Sequence, residues 1–255
     1  MPDIAAALPI LISLILAFLA LAWLSRQISL HVQRLFYAVT RSLDFAILAL
    51  FLCLLPGIVL HEAAHWGMAR LLGLKTGKFR VWPKPQGRYI GLGSVSVQRG
   101  QLWQDSLVGL APLIVGSILI ALIGQQIFFA YQISASLVQG RITEGLRLFW
   151  GALGEPDGAL WAYLLFAIGN AMMPSASDRE PLLPLLLYTG LAALIYALIG
   201  LPLSPLASAL TWLIPTLEDL TSAFVFTVAL DVIILVVLYG LEILFAPRTA
   251  YNPKT

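Results

Sequence analysis

Long apolar segments, separated by shorter polar ones, dominate the pattern of the chain. About 20 apolar residues are enough for a helix to cross the hydrocarbon core of a bilayer. The pattern therefore predicts six transmembrane helices, at about residues 4–24, 45–72, 107–129, 160–173, 182–203 and 220–245. The first segment has no basic stretch before it, so we interpret it as a retained helix rather than a signal peptide.

Two polar connections have patterns of their own. Residues 25–42 place basic side chains among apolar ones, which predicts a separate short amphipathic helix at the membrane interface. His31 within it is interpreted as an exposed polar residue and not as a metal ligand. Residues 75–104 hold short alternating runs between proline and glycine turns, which predict one or two short β-hairpins. Their strand edge can receive an extended peptide, or the segment is a basic loop that only fixes topology.

The predicted fold class is an all-α polytopic membrane protein with a small β-hairpin loop after the second helix. Three regions follow from this pattern. Residues 1–44 form a transmembrane helix and an interfacial segment, and residues 45–180 form a core of three helices and the hairpin loop. Residues 181–255 form two further helices and a short tail, 246–255, which we expect to be disordered.

Composition supports the membrane interpretation. The chain of 255 residues is 60% hydrophobic and 11% charged, with a mean hydropathy of +0.90, and a soluble domain carries about twice that share of charge. The net charge of +2 gives no indication of nucleic acid binding. Most of the 15 lysines and arginines fall on one side if the N-terminus, the basic loop and the C-terminus are cytoplasmic. We expect an integral protein of a prokaryotic cell membrane.

The second apolar segment contains the sequence His61-Glu62-Ala63-Ala64-His65. Residues four apart on a helix lie on the same face, so both imidazoles can bind one zinc ion. Glu62 lies beside that position, where it can accept a proton from water that the metal has acidified. The chain has only 3 histidines, and two of them are in this motif. Charged and polar groups within an apolar helix are costly and tend to be functional.

A catalytic zinc site needs a third protein ligand as well as an open position. Asp178 is the preferred candidate, because the second and fourth predicted helices cross the bilayer in the same direction. Asp178 comes just after the end at which the fourth helix leaves the bilayer, and the motif lies near the corresponding end of the second helix. We therefore expect Asp178 and the motif to reach the same depth in the membrane. Asp231, inside the sixth helix, is the reserve candidate. It has no identifiable partner in the sequence, and we favour its interpretation as a helix-packing residue.

At this point the chain resembles the site-2 protease family of intramembrane zinc metalloproteases. That family combines an apolar H-E-x-x-H helix, a helix with small residues, and an N-x-x-P motif followed by D-G, whose aspartate is the third ligand. The corresponding residues here are His61 to His65, Gly109-Leu-Ala-Pro112, and Asn170 with Asp178 at the family's eight-residue interval. Pro174 stands four residues after Asn170 instead of three, and Arg179 replaces the family's glycine. The resemblance covers about residues 45–180, and it implies that Asn170 donates a hydrogen bond to the substrate or to the developing oxyanion.

The predicted function is an intramembrane zinc metalloendopeptidase that cuts transmembrane segments of other proteins, as in regulated intramembrane proteolysis. One zinc ion would be held by His61, His65 and Asp178, with Glu62 as the general base. The expected partners are a transmembrane protein substrate and the lipid bilayer. The alternative is a catalytically silent relative that acts as a membrane scaffold or chaperone, which the changes around Asp178 favour and the intact Glu62 opposes. A small transporter fits the span count, but paired intramembrane charges and internal repeats are not visible in the sequence.

Overall fold

The computed structural model describes residues 4–86, 89–200, 202 and 204–245 of the chain. Four short strands lie between the second and third helices. The strands are β1 (Thr76–Arg80), β2 (Lys84–Gln86), β3 (Tyr89–Gly91) and β4 (Ser94–Val97). The helices are α1 (Ile4–Thr40), α2 (Leu43–Leu71), α3 (Leu102–Gln126), α4 (Ala130–Val138), α5 (Ile142–Leu153), α6 (Gly158–Ala171), α7 (Ala176–Arg179), α8 (Leu182–Leu198) and α9 (Ser204–Phe245). The predicted disordered tail, 246–255, lies outside the described residues.

Five helical segments in this part of the chain are long and apolar enough to cross a membrane, by length and composition. They are Ala7–Thr40, Leu43–Leu71, Leu102–Gln126, Ser177–Leu198 and Ser208–Phe245. The predicted helical, membrane-compatible class is therefore confirmed, but the count of six complete spans is not. The fourth predicted span is α6, which has 14 residues and is only about 21 Å long. A turn before Gly158 and Pro174 after its C-terminal end keep it short.

The prediction of a separate interfacial helix at residues 25–42 is wrong, because α1 continues without a break to Thr40. No glycine or proline occurs between residues 25 and 40, and extending a helix costs less than nucleating a new one. Ile28 and Val32 are buried, so this part of α1 packs in the protein interior. The break comes at Arg41, whose φ is 55°, and Ser42 then accepts a hydrogen bond from the Phe45 amide and caps α2.

The α2 and α6 helices run side by side, and this pairing brings the histidine motif level with the end of α6. The Tyr163 hydroxyl donates to the Leu52 carbonyl, and His61 bonds to the carbonyl of Ala171. Between these contacts the backbones approach closely, since a Cβ added at Gly57 would lie 2.0 Å from the Ala167 carbonyl oxygen. The glycine of the Pro56-Gly57 pair therefore makes room for α6.

The α1 and α9 helices form the most extensive helix–helix contact of the described chain. His31 pairs with the carboxylate of Glu242, and its ring also meets the edge of Tyr239 at a centroid distance of 6.0 Å. The expectation that His31 is an exposed polar residue is therefore wrong. Its partner lies 211 positions further along the chain, so only the packing of α1 against α9 brings the two groups together.

The four strands form the predicted hairpins as two antiparallel pairs, one inside the other. The inner pair joins β2 to β3, and the outer pair joins β1 to β4 with a register shift between Thr76 and Phe79. Trp82 contacts Phe51 of α2 at a ring distance of 5.6 Å, and Leu92 packs against the helical core. These contacts show that the segment folds back along α2. The strands therefore lie beside the histidine motif.

Candidate metal centre

His61 and His65 project from one face of α2, one turn apart. Their Nε2 atoms are 3.1 Å apart, and their ring centroids are separated by 4.8 Å. His65 is buried and His61 is half-buried. The spacing that the sequence provides thus becomes a pair of imidazole nitrogens that face a common point.

Backbone carbonyls from two other helices hold both rings in place. The Nδ1 atom of His61 lies 2.8 Å from the carbonyl oxygen of Ala171, at the end of α6. The Nδ1 atom of His65 lies 2.8 Å from the carbonyl oxygen of Val108, in α3. A carbonyl can only accept, so each Nδ1 carries the proton and each Nε2 keeps a free lone pair. Metal-binding histidines commonly have this second bond, which fixes the ring and its tautomer.

Asp178 lies beside both imidazoles. Its Oδ2 is 3.6 Å from Nε2 of His61, and its Oδ1 is 3.3 Å from Nε2 of His65. The short helix α7 begins with a capping box, in which Ser175 Oγ accepts from the Asp178 amide and Asp178 Oδ2 accepts from the Ser175 amide at 2.7 Å. This local structure brings the carboxylate to the histidines even though Arg179 follows it.

A glycine of α3 allows the backbone of α7 to come this close. A Cβ added at Gly109 would lie 2.4 Å from the carbonyl oxygen of Asp178. Gly109 is the first residue of the small-residue sequence that resembles the family motif. A larger residue there would push Asp178 away from His65, which α3 also positions through Val108.

His61, His65 and Asp178 lie close enough together to hold one metal ion. Four ligands at zinc–nitrogen distances around a tetrahedron are separated from one another by about 3.3 Å. The observed distances between the two Nε2 atoms and from each of them to a carboxylate oxygen of Asp178 are 3.1, 3.3 and 3.6 Å, in agreement with this value. Two unprotonated nitrogens 3.1 Å apart cannot hydrogen-bond to each other, so a cation between them and the carboxylate satisfies all three. His61, His65 and Asp178 could thus hold one ion and leave a fourth position open.

Glu62 lines one cavity of about 830 Å³ together with His61, His65 and Asp178. Glu62 is only 8% exposed, and the segment between β3 and β4 lies against it. A Cβ added at Gly93 would be 2.7 Å from Glu62 Oε1. Residues of β4, among them Ser94 and Val95, line the same cavity. The cavity therefore extends from the histidine motif to β4.

Asn170 and Asp231 lie outside the group of His61, His65 and Asp178, and they contact each other. Asp231 is fully buried and is not part of the group that could hold a metal. Its two oxygens each lie 3.1 Å from Nδ2 of Asn170. Asn170 is buried and lines the cavity. Sequence reasoning missed this pair, because Asn170 and Asp231 lie in different helices, 61 positions apart along the chain.

Comparisons with known proteins add no relative. No family model matches the chain, and no curated protein and no solved structure gives a significant match.

Proposed function

We propose that this chain is an intramembrane zinc metalloendopeptidase of the kind that the resemblance to site-2 proteases implies. One observation carries the proposal. Nε2 of His61, Nε2 of His65 and the Asp178 carboxylate converge at separations of 3.1–3.6 Å, and a backbone carbonyl fixes each ring. This donor set belongs to helices with the length and apolarity of membrane spans.

Glu62 would carry the proton transfers of peptide hydrolysis. When bound, zinc supplies Lewis acidity, which polarises the scissile carbonyl and acidifies water in the site. The Glu62 carboxylate accepts the proton of the attacking water and then delivers it to the leaving amine. Its position next to His61 on α2, in the wall of the same cavity, is consistent with both transfers.

The hairpin segment would hold the substrate in an extended form. Scissile bonds in a transmembrane helix are closed in backbone hydrogen bonds, so the helix must unwind locally before it is cut. Among the described residues β4 pairs with β1 alone. A free edge of β4 beside the cavity suits an unwound strand.

The predicted cytoplasmic location of both termini and the basic loop, in a prokaryotic cell membrane, is part of this proposal.

Zinc content is the first test. In protein purified in detergent without chelators, we expect about one zinc ion per chain in the wild type and a sharp loss in Asp178→Ala. Asp231→Ala is the matched control, since Asp231 is also a buried acid but lies outside the ligand group. Unchanged zinc in Asp178→Ala would exclude it as the third ligand, and zinc loss in Asp231→Ala instead would restore the reserve candidate.

Proteolysis is tested separately, with Glu62→Gln. This substitution keeps the shape of the side chain and removes the base, so zinc should stay bound while cleavage of a model transmembrane segment between two reporter domains stops. Substantial cleavage by Glu62→Gln would refute the role of Glu62. A wild type that retains the segment without ever cutting it would favour the scaffold or chaperone alternative.

A further inference from the structure

The helices α4 and α5 connect the end of α3 to the start of α6, and α5 carries an exposed apolar surface. Its residues Ile142, Leu146 and Trp150 are 60%, 51% and 56% exposed. Their spacing of four residues places them within an arc of about 80° on one side of the helix. We name these three residues the outer stripe of α5. Side chains of this size and apolarity are costly to leave in water.

A second apolar stripe holds α5 against the rest of the protein. Phe149 is only 6% exposed, and its ring centroid lies 4.9 Å from that of Phe226 in α9. Gly145, one turn earlier, is also buried, and a Cβ there would lie 2.6 Å from Cδ2 of Leu137 in α4. These contacts fix the rotation of α5 about its own axis, so the outer stripe is held away from the core.

The remaining side of α5 is polar. Thr143 and Arg147 are exposed, and Arg141, just before the helix, pairs with Glu144 at 2.8 Å. At about 100° per residue, the outer stripe falls between the buried stripe and this polar side. A helix that only covers a soluble core has two sectors, one buried and one polar. An exposed apolar sector between them is expected where a helix borders protein, lipid and water at once.

The short length of α6 is consistent with such a position for α5. The 14 residues of α6 span about 21 Å, whereas the hydrocarbon core of a bilayer is about 30 Å thick. The last turn of α5 lies directly against the start of α6, since a Cβ at Gly158 would lie 2.6 Å from the Ala152 carbonyl oxygen and 2.7 Å from that of Leu153. A helix is about 10 Å wide, so α5 lying flat at the start of α6 supplies about the missing thickness.

We propose that α5 lies in the membrane interface, with Ile142, Leu146 and Trp150 inserted among the lipid acyl chains and Arg147 at the level of the headgroups. The partner of the outer stripe is the bilayer itself, on the side of the membrane where α3 ends. Tryptophan suits this level because its ring is amphipathic, and a long basic side chain reaches the phosphates while its stem stays in apolar surroundings. None of these four residues lines the cavity beside the histidine motif, so this role is independent of the proposed protease activity.

Quenching of a site-specific fluorophore tests the position of each side of α5. Cys53 is the one cysteine of the chain, so single cysteines in a Cys53→Ala background can be labelled with bimane and placed in nanodiscs of dioleoylphosphatidylcholine. Lipid with a nitroxide near the headgroup end of its acyl chain should quench the label in Leu146→Cys at least about threefold more than in Arg147→Cys. Aqueous iodide should give the opposite order. Both positions are exposed, so each labelled protein should keep the Tm of the unlabelled parent.

Equal quenching of the two labels by the nitroxide lipid would overturn the proposal, as would stronger quenching in Arg147→Cys. A label in Leu146→Cys that neither quencher reaches would assign the outer stripe to a protein partner and would overturn the proposal as well. Trp150→Phe gives a second measurement that needs no label. The share of tryptophan fluorescence that brominated lipid removes should fall in this variant, and an unchanged share would refute the insertion of Trp150.

Discussion

The replacement Gly109→Ala tests how Asp178, the proposed third ligand, is positioned, and it changes none of the proposed ligands. The added Cβ would lie 2.4 Å from the Asp178 carbonyl oxygen, 3.3 Å from its carbonyl carbon and 3.5 Å from its Cα. Contacts of this kind do not occur below 3.0 Å and are tight below 3.4 Å. The backbone of Asp178 must therefore retreat from α3 by about 0.6–1.0 Å.

That displacement is large on the scale of a zinc site. Metal–ligand distances in such sites vary by about 0.2 Å, so the required shift is at least three times the tolerance. Asp178 is held to its helix by the capping box with Ser175 and can recover only part of the shift by side-chain rotation. We expect zinc affinity to fall about 10–100-fold, as when a residue that supports a metal ligand is removed.

The assay is competition for zinc against a fluorescent chelator, with detergent-purified protein. Gly67→Ala is the matched control, because Gly67 also lies in a helix and a Cβ there meets nothing within 4 Å. Both substitutions gain helix propensity of roughly 1 kcal/mol, so the metal-free proteins should both remain folded. If Gly109→Ala binds zinc within about threefold of Gly67→Ala, the close contact between α3 and α7 does not set the ligand geometry.

Three other predictions follow from close contacts and from the metal. Gly57→Ala should lower the free energy of unfolding by about 1–3 kcal/mol relative to Gly67→Ala, because its Cβ would meet backbone of α6; equal chemical denaturation curves would contradict this. Gly93→Ala should keep zinc but slow cleavage about tenfold or more, since its Cβ displaces the Glu62 carboxylate; an unchanged kcat would refute the contact. Chelation should lower the Tm of the wild type and not that of His61→Ala, which a thermal scan with and without chelator checks.

The parts of the site that local spacing determines were predictable. His61 and His65 share a face because a helix repeats every 3.6 residues, and the depth of Asp178 followed from the order of the helices. The turn residues of the 75–104 segment predicted its hairpins. In each case the relevant interaction is either within one element or between elements whose order along the chain fixes their relative position.

Contacts between distant helices were not predictable in the same way. Asp231 had no visible partner in the sequence because Asn170 lies 61 positions before it, in another helix. His31 was misjudged for the same reason, with its partner Glu242 at a separation of 211 residues. Polar residues that face each other across apolar helices carry no local pattern, since their pairing depends on how the helices rotate and pack.

The contact between Asp231 and Asn170 also has a consequence for biosynthesis. His61, His65 and Asp178 all precede α9 in the chain, so the ribosome completes these three residues before it makes Asp231. Until α9 inserts and packs against α1, the side-chain NH2 group of Asn170 has only the Phe166 carbonyl as an acceptor. The helix that is made last is therefore the one that completes the hydrogen bonding of this buried amide.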